Sequence, residues 1–295
     1  MATWKGRTRG GVLGYRIFVF LLKNLGLSFA YFTLRFVAFY YLIFSEKKYI
    51  YFYFHKILGY GFLKSFVSIY RNYYVFGQTL LDKTALLAGF DSGFTFDFDG
   101  EPYLREMTSG GIIISAHVGN WEIAGQLLKR LDTKINLLMF DAEHQRIKQY
   151  LDRIHIYKNV RIIIIKDDLS HLYDIKNALA QNELIAMHGD RFVEKSRTVT
   201  CNFVGREAPF PYGPFYLASK FNVPVSFTYA MKESKKHYHF YATHLYTLPA
   251  VPSRTEREKA ITGIVNEYAR ETEKVLRKYP IQWFNYYDFW KIDPR

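Results

Sequence analysis

The sequence predicts an α/β fold: a mixed, mostly parallel sheet flanked by helices, preceded by an N-terminal membrane-associated helical region. Two observations support this prediction. After about residue 94, short β-branched runs alternate with polar, helix-like stretches, which is the pattern of an α/β sheet covered by helices. Before that point, the chain is largely apolar and aromatic from Val12 to Phe44.

The first 48 residues form the expected membrane region. Residues 1–11 carry three basic side chains among Gly and Thr and predict a disordered basic arm. Residues 24–44 then provide 21 residues with one charge, and a bilayer is spanned by about 20 apolar residues. This stretch either spans the membrane or lies in the interface as one or two amphipathic helices. A buried helix of a soluble domain is the remaining alternative. We expect a single domain over 49–295.

Residues 49–90 continue as a helical and aromatic stretch, with apolar side chains at helical spacing. Lys56, Lys64 and Arg71 make a position within lipid costly. We therefore expect this stretch to pack on the domain rather than to form a second span.

The remaining elements follow from runs of apolar residues and their periods. Predicted strands are 111–116, 135–139, 161–165, 184–187 and 223–229, with 239–247 as a candidate edge strand. Predicted helices are 121–131, 142–154, 168–181 and 213–221, with a last helix from about Thr255 to Lys278 that keeps a 3.6-residue period and ends at Pro280.

The charge balance limits the class of partner. Forty Lys and Arg against 27 Asp and Glu give a net charge of +13, which suits nucleic acid, an anionic lipid surface or a phosphorylated carrier or substrate. The 26 Phe and 25 Tyr are densest in the N-terminal run and favour a membrane interface. No motif supports nucleic-acid binding. The lone Cys201 excludes an intrachain disulfide, argues against a Cys-based metal site, and is expected to be a small apolar residue in a strand.

The segment from His117 to Glu122 holds the residues best suited to chemistry. His117 follows a predicted strand, and Asn120 is a good N-cap for a helix that starts at Trp121. On one continuous helix, His117 and Glu122 would point about 140° apart. A strand, turn and helix start instead allows the carboxylate to reach the imidazole and raise the basicity of the other ring nitrogen, with Gly119 permitting close backbone approach. The alternative is a satisfied strand-end His and a first-turn Glu favoured by the helix dipole.

The string His117-Val118-Gly119-Asn120-Trp121-Glu122 resembles the His-x-x-x-x-Asp/Glu signature of glycerolipid acyltransferases. In this longer form it is similar to the bacterial lipid A biosynthesis acyltransferases, the late lauroyl and myristoyl transferases. The other matching motifs follow in the family's order and cover nearly the whole chain. They are Asp190-Arg191, the segment Val204–Pro214, and Tyr279–Tyr286 with the closing Pro-x-x-Trp at 280–283.

The resemblance implies a glycerolipid acyltransferase-like fold and an O-acyltransferase of the bacterial inner membrane, with its catalytic domain at 49–295 on the cytoplasmic face. His117 would be the general base on the acceptor hydroxyl, and Glu122 would orient it. The acyl chain would come from an acyl carrier protein or coenzyme A thioester and pass to a hydroxyl of a membrane lipid such as a lipid A precursor. No metal and no cofactor is required.

The same resemblance implies further substrate-binding residues. Asp190 would support the site or bind the acceptor, its alternative being a turn Asp at a strand end. Arg191 and backbone N–H groups of the loop 205–214 are candidate donors to the oxyanion. A helix that starts at Gly213 could direct its N–H groups to a phosphate, and a plain turn explains Gly213 equally well. The full set of expected substrate-binding residues is Asn120, Asp190, Arg191, Gly205, Arg206 and Gly213.

One departure leaves the acceptor open. The stretch Leu138–Glu143 lacks the Arg that the lipid A enzymes carry there, and the closing motif lacks a basic residue near Asp288. The acceptor could therefore be a lysophospholipid, an amino-acid lipid or a polyene-type pigment lipid. A membrane-bound thioesterase using the same dyad on water, and a non-catalytic lipid-binding protein, are the alternatives of other kinds.

Overall fold

The structure is a computed structural model that describes residues 12–90, 93–124, 131, 133–140, 160–166, 168–192, 196–249 and 253–290. The basic arm and the predicted helix 142–154 lie outside these residues. The strands of the described part are β1 (Thr95–Asp99), β2 (Gly111–Gly119), β3 (Ile135–Phe140), β4 (Val160–Ile165), β5 (Leu184–His188), β6 (Thr198–Phe203), β7 (Arg206–Pro211), β8 (Val225–Lys232) and β9 (His237–Ala242).

The described helices lie before, between and after these strands. They are α1 (Val12–Phe44), α2 (Lys48–Phe52) with the π-helical turn Tyr53–Ile57, α3 (Phe62–Leu87), α4 (Glu101–Arg105), α5 (His171–Ala180), α6 (Gly213–Phe221) and α7 (Arg254–Lys278), with 3-10 turns at Trp121–Ala124 and Pro280–Gln282.

Seven of the described strands form one sheet in the order β1-β9-β8-β2-β5-β3-β4, and β6 and β7 form a separate hairpin. In the large sheet, β8 and β9 are antiparallel, and the other neighbours run parallel. Strand β8 is buried throughout, and β2 nearly so, because helices cover both faces of the sheet centre. The prediction of a mixed, mostly parallel sheet flanked by helices is therefore confirmed.

The end of β2 carries an irregularity that shapes the candidate site. The four-residue step from Ser115 to Gly119 stands opposite a two-residue step from Thr228 to Ala230 on β8. Such a bulge turns side chains away from the regular alternation of a strand. Because β2 and β5 are parallel, with Ser115 paired to His188, their carboxyl ends meet at one edge of the sheet, where α/β folds place their ligand sites.

Helices α1 and α3 pack side by side. Helix α1 is broken at Gly26, whose φ of 78° and ψ of 173° are not helical. One face of its second half is buried, including Ala30, Tyr31 and Leu34, while the opposite face exposes large aromatic residues. The exposed aromatic side chains of this half are Phe29, Phe32, Phe36, Phe39, Tyr40 and Phe44.

Within the described part of the chain, one helix, Arg16–Phe44, is long and apolar enough to cross a membrane by length and composition. The helix is divided at Gly26 and packs against α3, and its arrangement relative to a membrane stays a prediction. The domain boundary near residue 48 stays a prediction.

Most predicted strands and helices are found within a few residues of their expected bounds, and Cys201 is buried in β6 as expected. The segment 205–214 was wrongly predicted as a loop, since 206–211 form strand β7 paired to β6. The two prolines of this segment argue against a strand when the sequence is read alone. Proline lacks the backbone N–H that a central strand requires and is tolerated mainly at an edge. Strand β1 was also missed, and because it pairs with β9, the segment predicted as an edge strand lies inside the sheet. The predicted helix 121–131 begins as a 3-10 turn over 121–124.

Candidate active site

His117 lies in the bulge of β2, where the carboxylate of Asp190 holds it at two points. The backbone N–H of His117 donates to Asp190 Oδ2 over 2.8 Å. The ring nitrogen Nδ1 lies 2.8 Å from Asp190 Oδ1. The His117 side chain is 13% exposed and that of Asp190 is 5% exposed, so the pair is largely shielded from water and one edge of the imidazole remains reachable.

The state of this pair follows from the chemistry of its two groups. An ionised carboxylate only accepts hydrogen bonds, so the contact with Asp190 places a proton on Nδ1 of His117. Burial raises the pKa of Asp190, but the charge and hydrogen bond of His117 and the charge of Arg191 outweigh burial, and the pKa lies below its ordinary value. Asp190 therefore stays ionised near neutral pH, and in neutral His117 the lone pair resides on Nε2.

His188, at the end of β5, stands beside this pair. Its ring centroid is 4.2 Å from that of His117 and 4.5 Å from that of Trp121. Its Nδ1 is 2.9 Å from Ser115 Oγ. Burial, with the charges of His117 and Arg191 acting in the same direction, places the pKa of His188 well below its ordinary value. His188 is therefore neutral around pH 7.

His188 was not among the residues predicted from the sequence. The signal was present, because the segment Met187-His188-Gly189-Asp190 ends a buried strand parallel to the one that carries His117. Two strand-end histidines on neighbouring parallel strands meet at the same sheet edge. The neighbour relation of β2 and β5 was the missing information.

Among the described residues, His117, His188 and Asp190 form the group that could hold a metal ion, with one ligand atom from each within 4.8 Å of the others. Nδ1 of each histidine is already engaged, by Asp190 and by Ser115 respectively. A divalent cation between the three would have to replace the hydrogen bond of His117 with Asp190 or bind through Nε2. The hydrogen bonds in place suit proton transfer.

The closing segment of the chain supports the bulge. Val118 pairs with Trp283 in an antiparallel bridge, and the N–H of Phe284 donates to the carbonyl of His117 over 3.3 Å. Gln282 in turn bonds both the backbone N–H and the carbonyl of Lys232. The closing motif therefore replaces β8 as the partner of β2 at the point where the bulge leaves β8.

Arg191 and Tyr287 enclose the other side of Asp190. The Arg191 guanidinium donates to the carbonyl of Phe284 over 3.2 Å and lies 5.7 Å from the centroid of the Tyr287 ring. The hydroxyl of Tyr287 donates to the carbonyl of Asp190 over 3.0 Å. The structure thus places Arg191 next to the pair, and its role as an oxyanion donor stays a prediction.

Gly119 and Asn120 fix the turn after His117. Gly119 has φ of +68°, and a Cβ there would lie 2.1 Å from the carbonyl oxygen of Ala230, so the close backbone approach expected of Gly119 is confirmed. Asn120 is buried, and its Nδ2 donates to the carbonyl of Thr79 and the hydroxyl of Tyr238. These contacts make Asn120 an anchor of the turn, and substrate binding by it stays a prediction.

Behind this turn lies a buried polar network centred on Asp82. The carboxylate of Asp82 accepts hydrogen bonds from Tyr31 of α1, Tyr238 of β9 and Lys232 of β8, whose Nζ is 2.6 Å away. Burial raises the pKa of Asp82 and lowers that of Lys232. Through Tyr238 and Asn120, the network connects both N-terminal helices to the turn after His117.

The remaining predicted residues lie on other elements. Glu122 is in the 3-10 turn after Asn120, and its side chain is outside the described part of the structure. Gly205 occupies the turn between β6 and β7 with φ of +80°. Arg206 places its guanidinium 5.2 Å from the centroid of the Phe52 ring, and Gly213 opens α6. The substrate contacts expected of these residues, and the role of Glu122 as the orienting carboxylate, stay predictions.

The chain was compared with protein families and with solved structures, and both comparisons gave matches. The family model described as bacterial lipid A biosynthesis acyltransferase matches residues 94–292. Among solved structures, the crystal structure of the 1-acyl-sn-glycerophosphate (LPA) acyltransferase PlsC from Thermotoga maritima is similar over 82% of this chain and 97% of that chain, with 14% identity and a TM-score of 0.40. No curated protein sequence matches the chain.

Proposed function

Since the chain belongs to the bacterial lipid A biosynthesis acyltransferase family and is an acyltransferase acting on lipid, we propose that it moves a fatty acyl chain from an acyl thioester to a hydroxyl of a membrane lipid. The observation that carries the proposal is the pairing of a partly exposed His117 with a buried, ionised Asp190 at the carboxyl edge of the sheet. That pairing is the arrangement of a general base with an orienting carboxylate.

The proposed reaction proceeds by proton transfer and addition. Nε2 of His117 takes the proton of the acceptor hydroxyl while the hydroxyl oxygen bonds to the thioester carbonyl carbon. The tetrahedral oxyanion collapses, the carbon–sulfur bond breaks, and His117 returns the proton to the departing thiolate. Asp190 keeps the proton of the imidazole on Nδ1 and stabilises the imidazolium that forms in between. No covalent acyl-enzyme is required.

Two other groups take supporting roles in this proposal. In the motif that resembles the family signature, Glu122 is the carboxylate paired with His117. We propose that Glu122 also orients His117 for the proton transfer from the acceptor hydroxyl. Arg191, beside Asp190, is the candidate cation for the oxyanion. His188 faces the His117 ring and is neutral, so it adds no positive charge that would oppose protonation of His117.

Donor and acceptor follow from charge and from the family. An acyl carrier protein or coenzyme A thioester is anionic, and the net charge of +13 attracts either. A lipid A precursor is the acceptor that the family suggests. The missing Arg in the stretch 138–143 keeps a lysophospholipid, an amino-acid lipid and a polyene-type pigment lipid as alternatives.

The proposed location is the bacterial inner membrane with the catalytic domain on the cytoplasmic side. The aromatic face of α1 supports membrane association, because large apolar side chains exposed along a helix are stable when they enter the headgroup region. The acyl chains of donor and acceptor then remain close to the lipid phase while His117 is held above it.

The test is a reconstituted reaction. Purified full-length protein in lipid nanodiscs is given acyl carrier protein or coenzyme A thioesters with each acceptor class, and thiol release and acylated lipid are both measured. We expect acylated lipid in proportion to thiol released, and a loss of roughly 10²- to 10⁴-fold in His117→Ala. Thiol release without acylated lipid would indicate a thioesterase. Unchanged activity in His117→Ala would refute the assignment of the base.

A further inference from the structure

A cleft of about 800 Å³ lies between helices α1 and α3, the turn from β8 to β9, and residues 278–282. Its lining includes the buried polar residues Ser68, Gln78 and Gln282. Neither His117 nor Asp190 is among the described residues that line it. The cleft is therefore distinct from the candidate active site and is built partly from the membrane-associated helices.

The lining of this cleft is strongly basic. Among its described residues it has six cationic side chains and one acidic side chain, Glu233. Two of the cations have local partners, since Lys232 is 2.6 Å from Asp82 and Lys278 is 3.6 Å from Glu233. The remaining four have no carboxylate at ion-pair distance in the described part of the chain and are Arg35, Lys64, Arg71 and Lys235.

One edge of the cleft is apolar and open. Phe32 and Val67 line it and are 52% and 58% exposed. The exposed Phe36 on α1 and Leu63 on α3 continue that surface. A ligand that fits both the basic lining and the apolar edge needs an anionic headgroup for the cations and apolar chains for the exposed apolar side chains. A free nucleotide, a nucleic acid and inorganic phosphate supply the first property and lack the second.

We propose that this cleft binds the phosphate headgroup of an anionic glycerophospholipid of the bilayer, whose acyl chains lie along the exposed faces of α1 and α3. Arg35 and Arg71 are the principal headgroup ligands, because a guanidinium matches a phosphate with paired N–H donors. The lipid is a fixed partner of the membrane-bound protein and not the acceptor of the acyl chain.

The cleft has a direct connection to His117. Ile281 and Gln282 line it, and the next two residues hold the bulge of β2 through the bridge of Trp283 with Val118 and the hydrogen bond of Phe284 to the carbonyl of His117. A bound headgroup that steadies 281–282 therefore steadies the backbone of His117. We expect anionic lipid to raise acyl-transfer activity, a consequence that rests on the proposed function.

The binding test compares full-length protein on two kinds of vesicle, phosphatidylcholine alone and phosphatidylcholine with added phosphatidylglycerol. We expect stronger association with the second kind. The double variant Arg35→Gln/Arg71→Gln should lose this gain by about 10- to 30-fold, at roughly fivefold for each basic residue near a charged surface. The matched control Arg161→Gln/Arg254→Gln removes two exposed arginines elsewhere and should keep the gain. Equal losses in both double variants would overturn the site.

Saturation separates a site from diffuse attraction. Dihexanoyl phosphatidylglycerol, added below its micelle concentration, should raise the Tm of the native protein in a saturable way, and Arg35→Gln/Arg71→Gln should abolish the rise. Arg35→Lys/Arg71→Lys should keep part of it. An equal rise with inorganic phosphate, or with dihexanoyl phosphatidylcholine, would overturn an anionic lipid site.

The activity measurement distinguishes this proposal from the proposed function. If the protein acylates lipid and the double variant mainly raises KM for the acceptor or for the acyl carrier protein, with vesicle association unchanged, the cleft is a substrate contact and the proposal is wrong. If the protein shows no acyl transfer but keeps Arg35- and Arg71-dependent association with phosphatidylglycerol, the proposed function fails and the lipid site stands.

Discussion

Asp190 accepts two hydrogen bonds from one residue, His117: the backbone N–H binds Oδ2 and the ring Nδ1–H binds Oδ1, each over 2.8 Å. The first bond fixes the strand bulge on which the imidazole is carried. The second fixes the tautomer and leaves the lone pair on Nε2. One carboxylate thus controls both the position and the protonation of the proposed base. A substitution of Asp190 is therefore the most direct test of the mechanism.

Asp190→Asn should reduce kcat by about 10²-fold or more. The amide oxygen can still accept the backbone N–H of His117, which leaves the amide N–H₂ facing Nδ1. That donor shifts the imidazole proton to Nε2, and the base can no longer accept the proton of the hydroxyl. The measurement is initial rate of acylated lipid formation against pH, with folding checked by circular dichroism.

The control for that variant is Asp174→Asn, which removes an exposed carboxylate paired with Arg161 and should leave the rate unchanged. Glu122→Gln serves as the comparison within the motif. Full activity in Asp190→Asn together with a strong loss in Glu122→Gln would show that Glu122 alone orients the base.

Gly119→Ala should destabilise the protein and reduce activity. The residue has φ of +68°, and the new Cβ would lie 2.1 Å from the carbonyl oxygen of Ala230, a backbone atom that cannot rotate away. Strain of this kind costs on the order of 1–3 kcal/mol for the conformation alone, and the clash adds to it. Urea unfolding measures the free energy and an acyl-transfer assay the activity.

Gly263→Ala is the matched control for this change. Gly263 lies within α7 with open space at its Cβ position, so alanine there should stabilise the protein by about 0.5–1 kcal/mol. Similar stability in the two variants would contradict a role for the turn at Gly119.

The residues around His117 show how much of the candidate site could be predicted from the sequence. The strand at 111–116 and the helix at 213–221 follow from local pattern, and the structure has both. His117 was predicted to follow the strand, but β2 continues to Gly119 and contains it, because the bulge lets the strand run past Ser115. The bond from Asp190 to His117 required the knowledge that β2 and β5 are neighbours with Ser115 opposite His188. Local pattern does not determine which of five parallel strands are adjacent, so Asp190 was placed near the site only by resemblance, and His188 was not found.

The hairpin β6–β7 and the network around Asp82 were not predicted from the sequence, for other reasons. Pro209 and Pro211 in β7 argue against a strand unless it lies in a small separate hairpin. Asp82 and Lys232 are 150 positions apart in the chain, and each on its own is an ordinary charged residue of a helix or a strand. Their burial together depends on how α1 and α3 pack on the sheet.

Lys232→Met should lower the free energy of unfolding by about 3–5 kcal/mol, because it leaves the carboxylate of Asp82 buried without its cation. Both side chains of this pair are at most 5% exposed. Lys274→Met is the control. Lys274 pairs with Glu271 at the surface, where an ion pair contributes about 1 kcal/mol or less to stability. Thermal and urea unfolding of both variants give the comparison. Equal small losses would contradict the buried network.

The free energy of unfolding should fall on acidification in two steps. His188 has a lowered pKa in the folded protein, so below about pH 6.5 the unfolded chain takes up a proton that the folded chain resists, and stability is lost as pH falls. Asp190, whose pKa is also lowered, adds a second loss below about pH 4. His188→Gln should reduce the slope of the free energy of unfolding against pH in the first step by up to about 1.4 kcal/mol per pH unit. The second step should be unchanged. His171 has a lowered pKa as well, so part of the first step should remain, and His171→Gln measures that part. Urea unfolding across pH 2 to 8 tests this pattern. A first step of equal size in the native protein and in His188→Gln would show that His188 is not held neutral beside His117.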